Sequence, residues 1–324
     1  MHRILQDSDD DKYREISMMQ RIYEGAYISI VAASSSSAAQ RLLQPRKGTG
    51  KLYPIPFRLS PDNFGTIFVQ NVKDVFHDES NEPISKRAWT LQEQLKSRRQ
   101  IIYSSHTLQW RCNSGMRNLG DSLCTFDRSN SLLRRLHEIS QAAPNIQSGI
   151  QRWNSIADVY SGRTASLPCD KLNAISSMAD SFSKSLSSQY YAGLWHHDLL
   201  QSLLRSTSRG NSRLKVYRVP SWSWTSIDGP VFHPSGYPLF RCELVDCNVQ
   251  LKSAKLPFCE VTSGSLKIKA VMRKAWFWPA KHNLSLVAED NEDVDAGKTV
   301  HSPFVTKTGP PVGFHDEPFA KRKA

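Results

Sequence analysis

Hydrophobic and polar positions along this chain follow two periods, and these periods predict helices and strands. Near the start, five apolar positions recur three or four residues apart, which indicates one buried stripe on a helix. These positions are Tyr13, Ile16, Met19, Ile22 and Tyr23. Ser8, with Asp11 three residues later, is typical of a helix N-terminus. A β-prone run over 27–33 and a four-serine loop over 34–37 follow, and this order belongs to an α/β layer.

Shorter apolar runs predict the elements that come next. Residues 45–61 are rich in Pro and Gly and separate the first unit from a predicted strand over 66–69. A short helix or helical turn is predicted over 87–95. Residues 100–103 and 107–110 then predict a hairpin.

The second half of the chain changes from helical to β-like spacing. Residues 132–204 have a mainly helical pattern, and the best strands after Pro220 are 242–251 and 265–271. The fold class is therefore predicted as mixed α+β and α/β. The predicted regions are a partial α/β domain over 1–115, a mainly helical region over 116–215, and a β-rich C-terminal region over 216–324 with a flexible tail.

Composition favours a globular protein without a membrane span. The chain has 324 residues, of which 39% are hydrophobic, and eight are tryptophans. This is enough to build a sizeable core, while no apolar run reaches the roughly 18 residues of a membrane helix. The first residues lack a long apolar segment of the secretory type, so a cytoplasmic location is expected. Six cysteines without a C-x-x-C pair indicate reduced thiols and no metal site.

Charge and short motifs exclude several function classes. The net charge is +12, but it is scattered, and the one compact basic cluster, 321–323, is at the end of the sequence. Nucleic acid is therefore disfavoured as a partner. Gly48-Thr49-Gly50-Lys51 lacks the remaining positions of a phosphate loop. His196 and His197 are adjacent, so on a helix they point about 100° apart and do not easily share one ion.

The segment 87–93 concentrates polar chemistry. Arg-Ala-Trp-Thr-Leu-Gln-Glu places a guanidinium, an indole, a hydroxyl, an amide and a carboxylate within seven residues. Such groups are rarely buried unless they are paired with one another. One interpretation is an amphipathic helix with Trp89 in the core and Glu93 in an ion pair, for which Arg87 is the nearest cation. The other interpretation is a functional site.

This segment resembles the R-x-W-T-x-Q-E signature of the fungal heterokaryon-incompatibility (HET) domain, and other blocks resemble the family in the same order. An N-terminal block resembles Q-D-S…E…M-x-x-I-Y, and later blocks resemble Q-x-W-E-C, D-K-L-x-A-L, Y-x-A-G-L-W and P-S-W-S-W-A-S. The residues that match family motifs are Gln6, Asp7, Glu15, Tyr23, Arg87, Trp89, Thr90, Gln92, Glu93, Trp110, Asp170, Lys171, Trp222 and Trp224.

The resemblance implies a role in non-self recognition and programmed cell death, through protein partners. It also implies an incomplete flavodoxin-like or TIR-like α/β layer, followed by the helical region and antiparallel strands. The family usually has a strand and an L-S-Y-x-W-G block before its Q-D segment, so we expect the opening third of the domain to be absent and the copy to be truncated or degenerate. Lys12 stands where the family usually has Trp, and Arg111 where it often has Glu.

Two functions follow from the resemblance. The first is a signalling or interaction protein without catalytic activity or cofactor. The alternative is a TIR-like enzyme that cleaves NAD, in which Glu93 would stabilise the ribosyl cation. A structural role of Glu93 predicts that Glu93→Gln lowers the melting temperature. Trp222 and Trp224 alternate with serines, so we also expect a strand that buries both indoles against the helical region.

Overall fold

The structure is a computed structural model. It describes residues 9–37, 39–43, 45, 51–71, 79–119, 145–208, 211–214, 216–234, 242–271, 275–278, 283–286 and 312–316. These residues form a mixed α/β protein with several helices and small sheets. The helices are α1 (Asp9–Gly25), α2 (Trp89–Lys96), α3 (Ile146–Ser161), α4 (Asp170–Asn173), α5 (Ser176–Leu186) and α6 (Leu199–Ser202).

Short 3-10 turns and strands connect these helices. The turns are Glu79–Asn81, Pro83–Lys86, His196–Asp198 and Trp224–Ser226. The strands are β1 (Ser29–Val31), β2 (Leu52–Ser60), β3 (Asn63–Gln70), β4 (Arg99–Tyr103), β5 (Leu108–Cys112), β6 (Gly115–Leu119), β7 (Tyr190–Tyr191), β8 (Leu194–Trp195), β9 (Ser206–Thr207), β10 (Ser212–Arg213), β11 (Ile227–Asp228), β12 (Val231–Phe232), β13 (Cys242–Leu251), β14 (Val261–Ala270), β15 (Ala275–Trp278), β16 (Asn283–Leu286) and β17 (Val312–Asp316).

The first sheet has the strand order β1-β4-β5-β6. Strands β1 and β4 are parallel, whereas β4, β5 and β6 form an antiparallel meander. The hairpin predicted over 100–110 is confirmed by β4 and β5. Within the described residues β1 pairs only with β4, and Ile30 on this edge strand is 64% exposed.

The region predicted as a Pro- and Gly-rich spacer contains a strand instead. Strand β2 runs through Pro54 and Pro56 and pairs antiparallel with β3, the strand predicted near 66–69. Proline cannot donate to a sheet ladder, and it is tolerated because this sheet has only two strands, so both are edges. All residues of β2 are exposed.

The main core joins α2 to the second half of the chain. It takes buried side chains from Ala88 through to Leu266, including those of α3, α5, β7, β8 and β14. Its largest residues are aromatic: the ring of Trp153 makes edge contacts with Phe182 at 5.7 Å and with Trp195 at 5.7 Å. Offset and edge-on ring contacts of this kind add stability beyond burial of area.

The predicted strand around Trp222 and Trp224 is wrong. Residues 221–226 form a turn and a 3-10 helix, because the Ser223 hydroxyl accepts from the Thr225 N–H at 3.2 Å and so favours a helical start. Both indoles are nevertheless buried, with 6% and 0% exposure. Trp224 Nε1 donates to the Gly193 carbonyl at 2.9 Å, and its ring contacts Tyr160 at 5.9 Å.

A search of the described helices for membrane spans found none that is long and apolar enough to cross a bilayer. The longest, α1, has 17 residues and begins with three aspartates.

Candidate functional site

The segment 87–93 forms the start of α2. The preceding 3-10 turn has Pro83 at its first position, where a missing N–H does no harm. The Thr90 hydroxyl lies against two carbonyls, those of Ile84 at 2.6 Å and Arg87 at 2.8 Å. These contacts fix the angle at which the chain enters the helix.

A short parallel bridge connects this helix start to the loop after α3. The Ala88 N–H donates to the Thr164 carbonyl at 2.7 Å, and the Thr164 N–H donates to the Lys86 carbonyl at 2.7 Å. Beside the bridge, Arg163 Nη1 reaches the Thr90 hydroxyl at 3.2 Å. The segment is therefore attached to a region more than 70 residues away by both backbone and side-chain bonds.

Helix α1 covers the opposite side of α2. Trp89 is half-buried and packs both against the main core and against the small cluster of Ile16, Leu256 and Cys259. Trp89 was expected to be buried in the core, and its burial is partial. Arg87 is exposed.

Glu93 faces Tyr23 on α1. The Tyr23 hydroxyl donates a hydrogen bond to the Glu93 carboxylate. Burial raises the pKa of Glu93 above its ordinary value, against the opposing effects of this hydrogen bond and of the Arg87 charge. Burial and the Glu93 charge likewise raise the pKa of Tyr23.

The expected ion pair between Arg87 and Glu93 is not among the ion pairs of the described residues. Arg87 acts on Glu93 only through its charge, and the direct partner is a neutral hydroxyl. The reason is the short helix: Arg87 precedes its first residue and points outward, whereas Glu93 is directed toward α1.

Two further side chains hold α2 between its neighbours. The Ser177 hydroxyl of α5 donates to Gln92 Oε1 at 2.7 Å. Lys96 Nζ lies 3.3 Å from a Glu24 carboxylate oxygen on α1, and burial lowers the pKa of Lys96. Lys96 Nζ also donates to the Ser181 hydroxyl of α5. Gln92 and Lys96 therefore both connect α2 to α5, and Lys96 connects it to α1 as well.

Lys12, which stands where the family usually has Trp, makes a close ion pair. Its Nζ lies 2.7 Å from Asp170 Oδ1, with side-chain exposures of 12% and 9%. Burial opposes the charge on Lys12, but the hydrogen bond and charge of Asp170 raise its pKa overall. Lys12 therefore connects α1 to α4 through an ionic contact.

Lys171 is buried without a carboxylate partner. Its Nζ donates to the Ser161 carbonyl at 2.9 Å and to the Arg163 carbonyl, which places a cation at the C-terminus of α3. Burial lowers the pKa of Lys171 to about 8, and the charge of Arg218 adds to this effect. The Tyr160 hydroxyl donates to the Lys171 carbonyl at 2.5 Å.

Arg111, the second departure from the family pattern, also has a structural role. Its Nη2 donates to the Gln94 carbonyl at 2.8 Å and to Gln100 Oε1 at 2.6 Å. Burial lowers the pKa of Arg111 to about 10. The side chain therefore fastens the first sheet to the C-terminal turn of α2.

One group of side chains has the composition of a metal site. Ligand atoms of Cys169, Asp170 and Glu260 lie within 4.8 Å of one another. Both carboxylates already have cationic partners, however, since Glu260 is paired with Lys252 at 2.9 Å as Asp170 is with Lys12. This geometry describes a local ionic network and does not favour a cation.

The remaining residues that match family motifs are distributed around this centre. Glu15 on α1 is buried, and Trp110 on β5 is half-buried. Gln6 and Asp7 lie outside the described residues. Thr164 was not identified from sequence: its backbone forms the bridge, and its hydroxyl adds one bond to the Lys86 carbonyl at 3.0 Å. Arg163 had a signal, since Tyr160, Ser161 and Arg163 resemble a Y-S-x-R block of the family.

These contacts define a mixed α/β protein whose Arg-Ala-Trp-Thr-Leu-Gln-Glu helix is fixed between an N-terminal helix and a helical region. Residues 3–93 match the model of the family described as Heterokaryon incompatibility protein (HET), so this part of the chain is similar to a heterokaryon incompatibility domain. The matched range includes Gln6, Asp7, Glu15, Tyr23 and the segment 87–93. Comparisons with curated proteins and with solved structures gave no match.

Proposed function

We propose that this protein acts in heterokaryon incompatibility as a cytoplasmic signalling protein, which triggers growth arrest or programmed cell death through protein partners. The observation that carries the proposal is the match of residues 3–93, which ends on Glu93 and includes Tyr23. The two side chains are 70 positions apart and are hydrogen-bonded to each other. Helices α1 and α2, both within the matched range, therefore contact each other. Helix α2 also contacts the loop after α3 and helix α5.

The surroundings of Glu93 support a structural role for this side chain. Burial raises the pKa of Glu93, and its contact is a tyrosine hydroxyl on a packed helix. The same features are those of a structural acid between two helices. The alternative, a TIR-like layer that cleaves NAD, makes Glu93 essential for turnover.

Regulated expression of the full chain in a filamentous fungus tests the proposal. We expect the wild-type protein to arrest growth and to admit a vital dye into the cells. Glu93→Gln keeps an oxygen that accepts from Tyr23, so we expect it to retain this activity. The exposed Glu243→Gln on β13 is the matched control for loss of one negative charge.

The outcomes separate the two functions. Cell death that is retained by Glu93→Gln, without release of nicotinamide from NAD by the purified protein, supports signalling. Release of nicotinamide by the wild type but not by Glu93→Gln supports the enzyme. If the wild-type chain is produced at normal levels and leaves growth unchanged, the death-inducing role is wrong.

A further inference from the structure

The β2–β3 hairpin has one face that is entirely apolar. In an antiparallel pair, residues opposite one another share a face. Tyr53 is opposite Val69, Ile55 is opposite Ile67, and Phe57 is opposite Gly65. Leu59 lies on the same face, because its Cδ1 is 3.1 Å from the position that a Cβ on Gly65 would occupy. We call this the apolar face, and its side chains are Tyr53, Ile55, Phe57, Leu59, Ile67 and Val69.

The other face of the hairpin is different in character. It carries the exposed side chains of Leu52, Phe64 and Phe68, two prolines, Thr66 and Arg58. The Arg58 guanidinium lies 5.6 Å from the centre of the Phe64 ring. A charged group and a hydroxyl therefore interrupt its apolar area. On the apolar face the charge lies at one end: Lys51, just before β2, places its Nζ 5.4 Å from the centre of the Tyr53 ring, and the other positions of the face carry no charge.

Among the residues that the structure describes, none covers the apolar face. Its six side chains are 44% to 63% exposed. Monomeric proteins rarely expose contiguous apolar patches of this kind, and an isolated two-stranded hairpin is only marginally stable in water. A second layer packed on this face would supply the missing support.

The area fits an interface between two copies. Large apolar side chains present on the order of 200 Å² each when fully exposed, so six that are about half exposed present about 600 Å². Two such faces together bury about 1,200 Å², which is the lower limit for specific protein interfaces.

We propose that the protein forms a homodimer in which the apolar faces of two hairpins pack against each other. A two-fold interface brings a patch against its own copy, and because Lys51 lies at the end of the apolar face, the central side chains meet no like-charge repulsion in that arrangement. Face-to-face packing of two small sheets also matches the ordinary spacing of sheet layers. This inference is independent of the proposed signalling function.

A lipid surface is a less suitable occupant. The hairpin tip, Ser60 to Asn63, is polar and contains Asp62, so the end that would enter a bilayer first carries a negative charge. Arg58 lies on the opposite face, and Lys51, which is beside Tyr53, lies at the end of the hairpin farthest from the tip that would enter the bilayer first.

Sedimentation equilibrium of the full chain tests the dimer. We expect the wild type to dimerise with a dissociation constant of about micromolar order. Ile67→Lys on the apolar face should weaken dimerisation at least about tenfold, since it places two cations in the interface. Thr66→Lys is the matched control, because it adds the same charge to the neighbouring exposed position on the other face. Far-UV circular dichroism checks that both variants are folded.

Ionic strength provides a second measurement. The chain has a net charge of +12, so two copies repel each other at long range, and added salt screens that repulsion. Dimerisation should therefore strengthen between low and physiological salt. Binding to an acidic partner would weaken under the same change.

Three results would overturn the proposal. The first is a wild-type chain that remains monomeric well above micromolar concentration. The second is a dimer that Ile67→Lys and Thr66→Lys weaken equally, which places the interface elsewhere. The third is a monomer that binds phosphatidylcholine and phosphatidylserine vesicles and loses this binding in Ile67→Lys, which assigns the face to lipid.

Discussion

The surroundings of α2 and the β2–β3 hairpin use similar residues in opposite ways. Both are rich in aromatic and branched side chains. Around α2 these side chains are almost completely buried, as in Leu91 at 1% and Trp224 at 0%, whereas Phe68 in the hairpin is 62% exposed. Apolar composition therefore does not decide burial in this chain. The number of elements that converge on a segment decides it.

Polar groups show the same difference. Near α2, Lys171 and Arg163 are taken out of water and donate to backbone carbonyls at the end of α3 and beside α2. Buried donors and acceptors without partners are costly, so such contacts define one arrangement of the helices. In the hairpin, Arg58 is exposed and donates to the carbonyls of its own turn.

The largest expected effect comes from removing a buried indole. Trp224→Ala should lower the free energy of unfolding by about 3 to 5 kcal/mol, because it leaves a cavity against Tyr160 and removes the donor to the Gly193 carbonyl. Phe68→Ala in the hairpin should change it by less than about 0.5 kcal/mol. Urea unfolding followed by circular dichroism measures both. An equal loss of unfolding free energy in Trp224→Ala and Phe68→Ala would contradict the difference between the core around α2 and the hairpin.

A second variant tests the ionic contact between α1 and α4. Lys12→Trp restores the residue that the family usually has, but it leaves the nearly buried Asp170 without its cation. We expect a loss of about 1 to 3 kcal/mol. Lys184→Trp is the control, since Lys184 pairs with Asp180 in an exposed i,i+4 bond, and such bonds contribute about 0.5 kcal/mol or less. A more stable Lys12→Trp would show that packing outweighs the ion pair.

Periodicity was sufficient to predict most of the local structure. Helix α1, the β4–β5 hairpin and the long strands β13 and β14 all lie where the sequence patterns place them. Their signals are carried by neighbouring residues. Strand β2 was missed because Pro and Gly usually mark loops, and nothing nearby indicated that β3 would pair with it.

The candidate site was predicted only in part, since its key contacts join residues far apart in sequence. The segment 87–93 and the motif around Asp170 were identified, but the pairing of Lys12 with Asp170 spans 158 positions. A strand was predicted around Trp222 and Trp224 because their alternation with serines is typical of a strand. The segment forms a turn instead, which the Ser223 hydroxyl stabilises. Both indoles are buried as expected, but in a turn and not in the strand from which their burial was predicted.

The smallest expected effect concerns Glu93 and depends on pH. Burial raises the pKa of Glu93 in the folded protein, so the folded state keeps its proton at a pH where the unfolded chain has lost it. Stability should therefore fall as pH rises from the ordinary pKa of 4.5 through the raised value. Gln does not titrate, and its oxygen still accepts from Tyr23.

Glu93→Gln should consequently be equal to the wild type or slightly less stable at pH 4, and equal or more stable by up to about 1 kcal/mol at pH 7.5. This reverses the lower melting temperature expected for an ion pair with Arg87. Melting temperatures of the wild type, Glu93→Gln and the exposed control Glu243→Gln at several pH values measure the effect. A Glu93→Gln protein that melts well below both others at pH 7.5 would show that the ionised carboxylate stabilises the fold, and the assignment of Glu93 as an acid disfavoured by burial would be wrong.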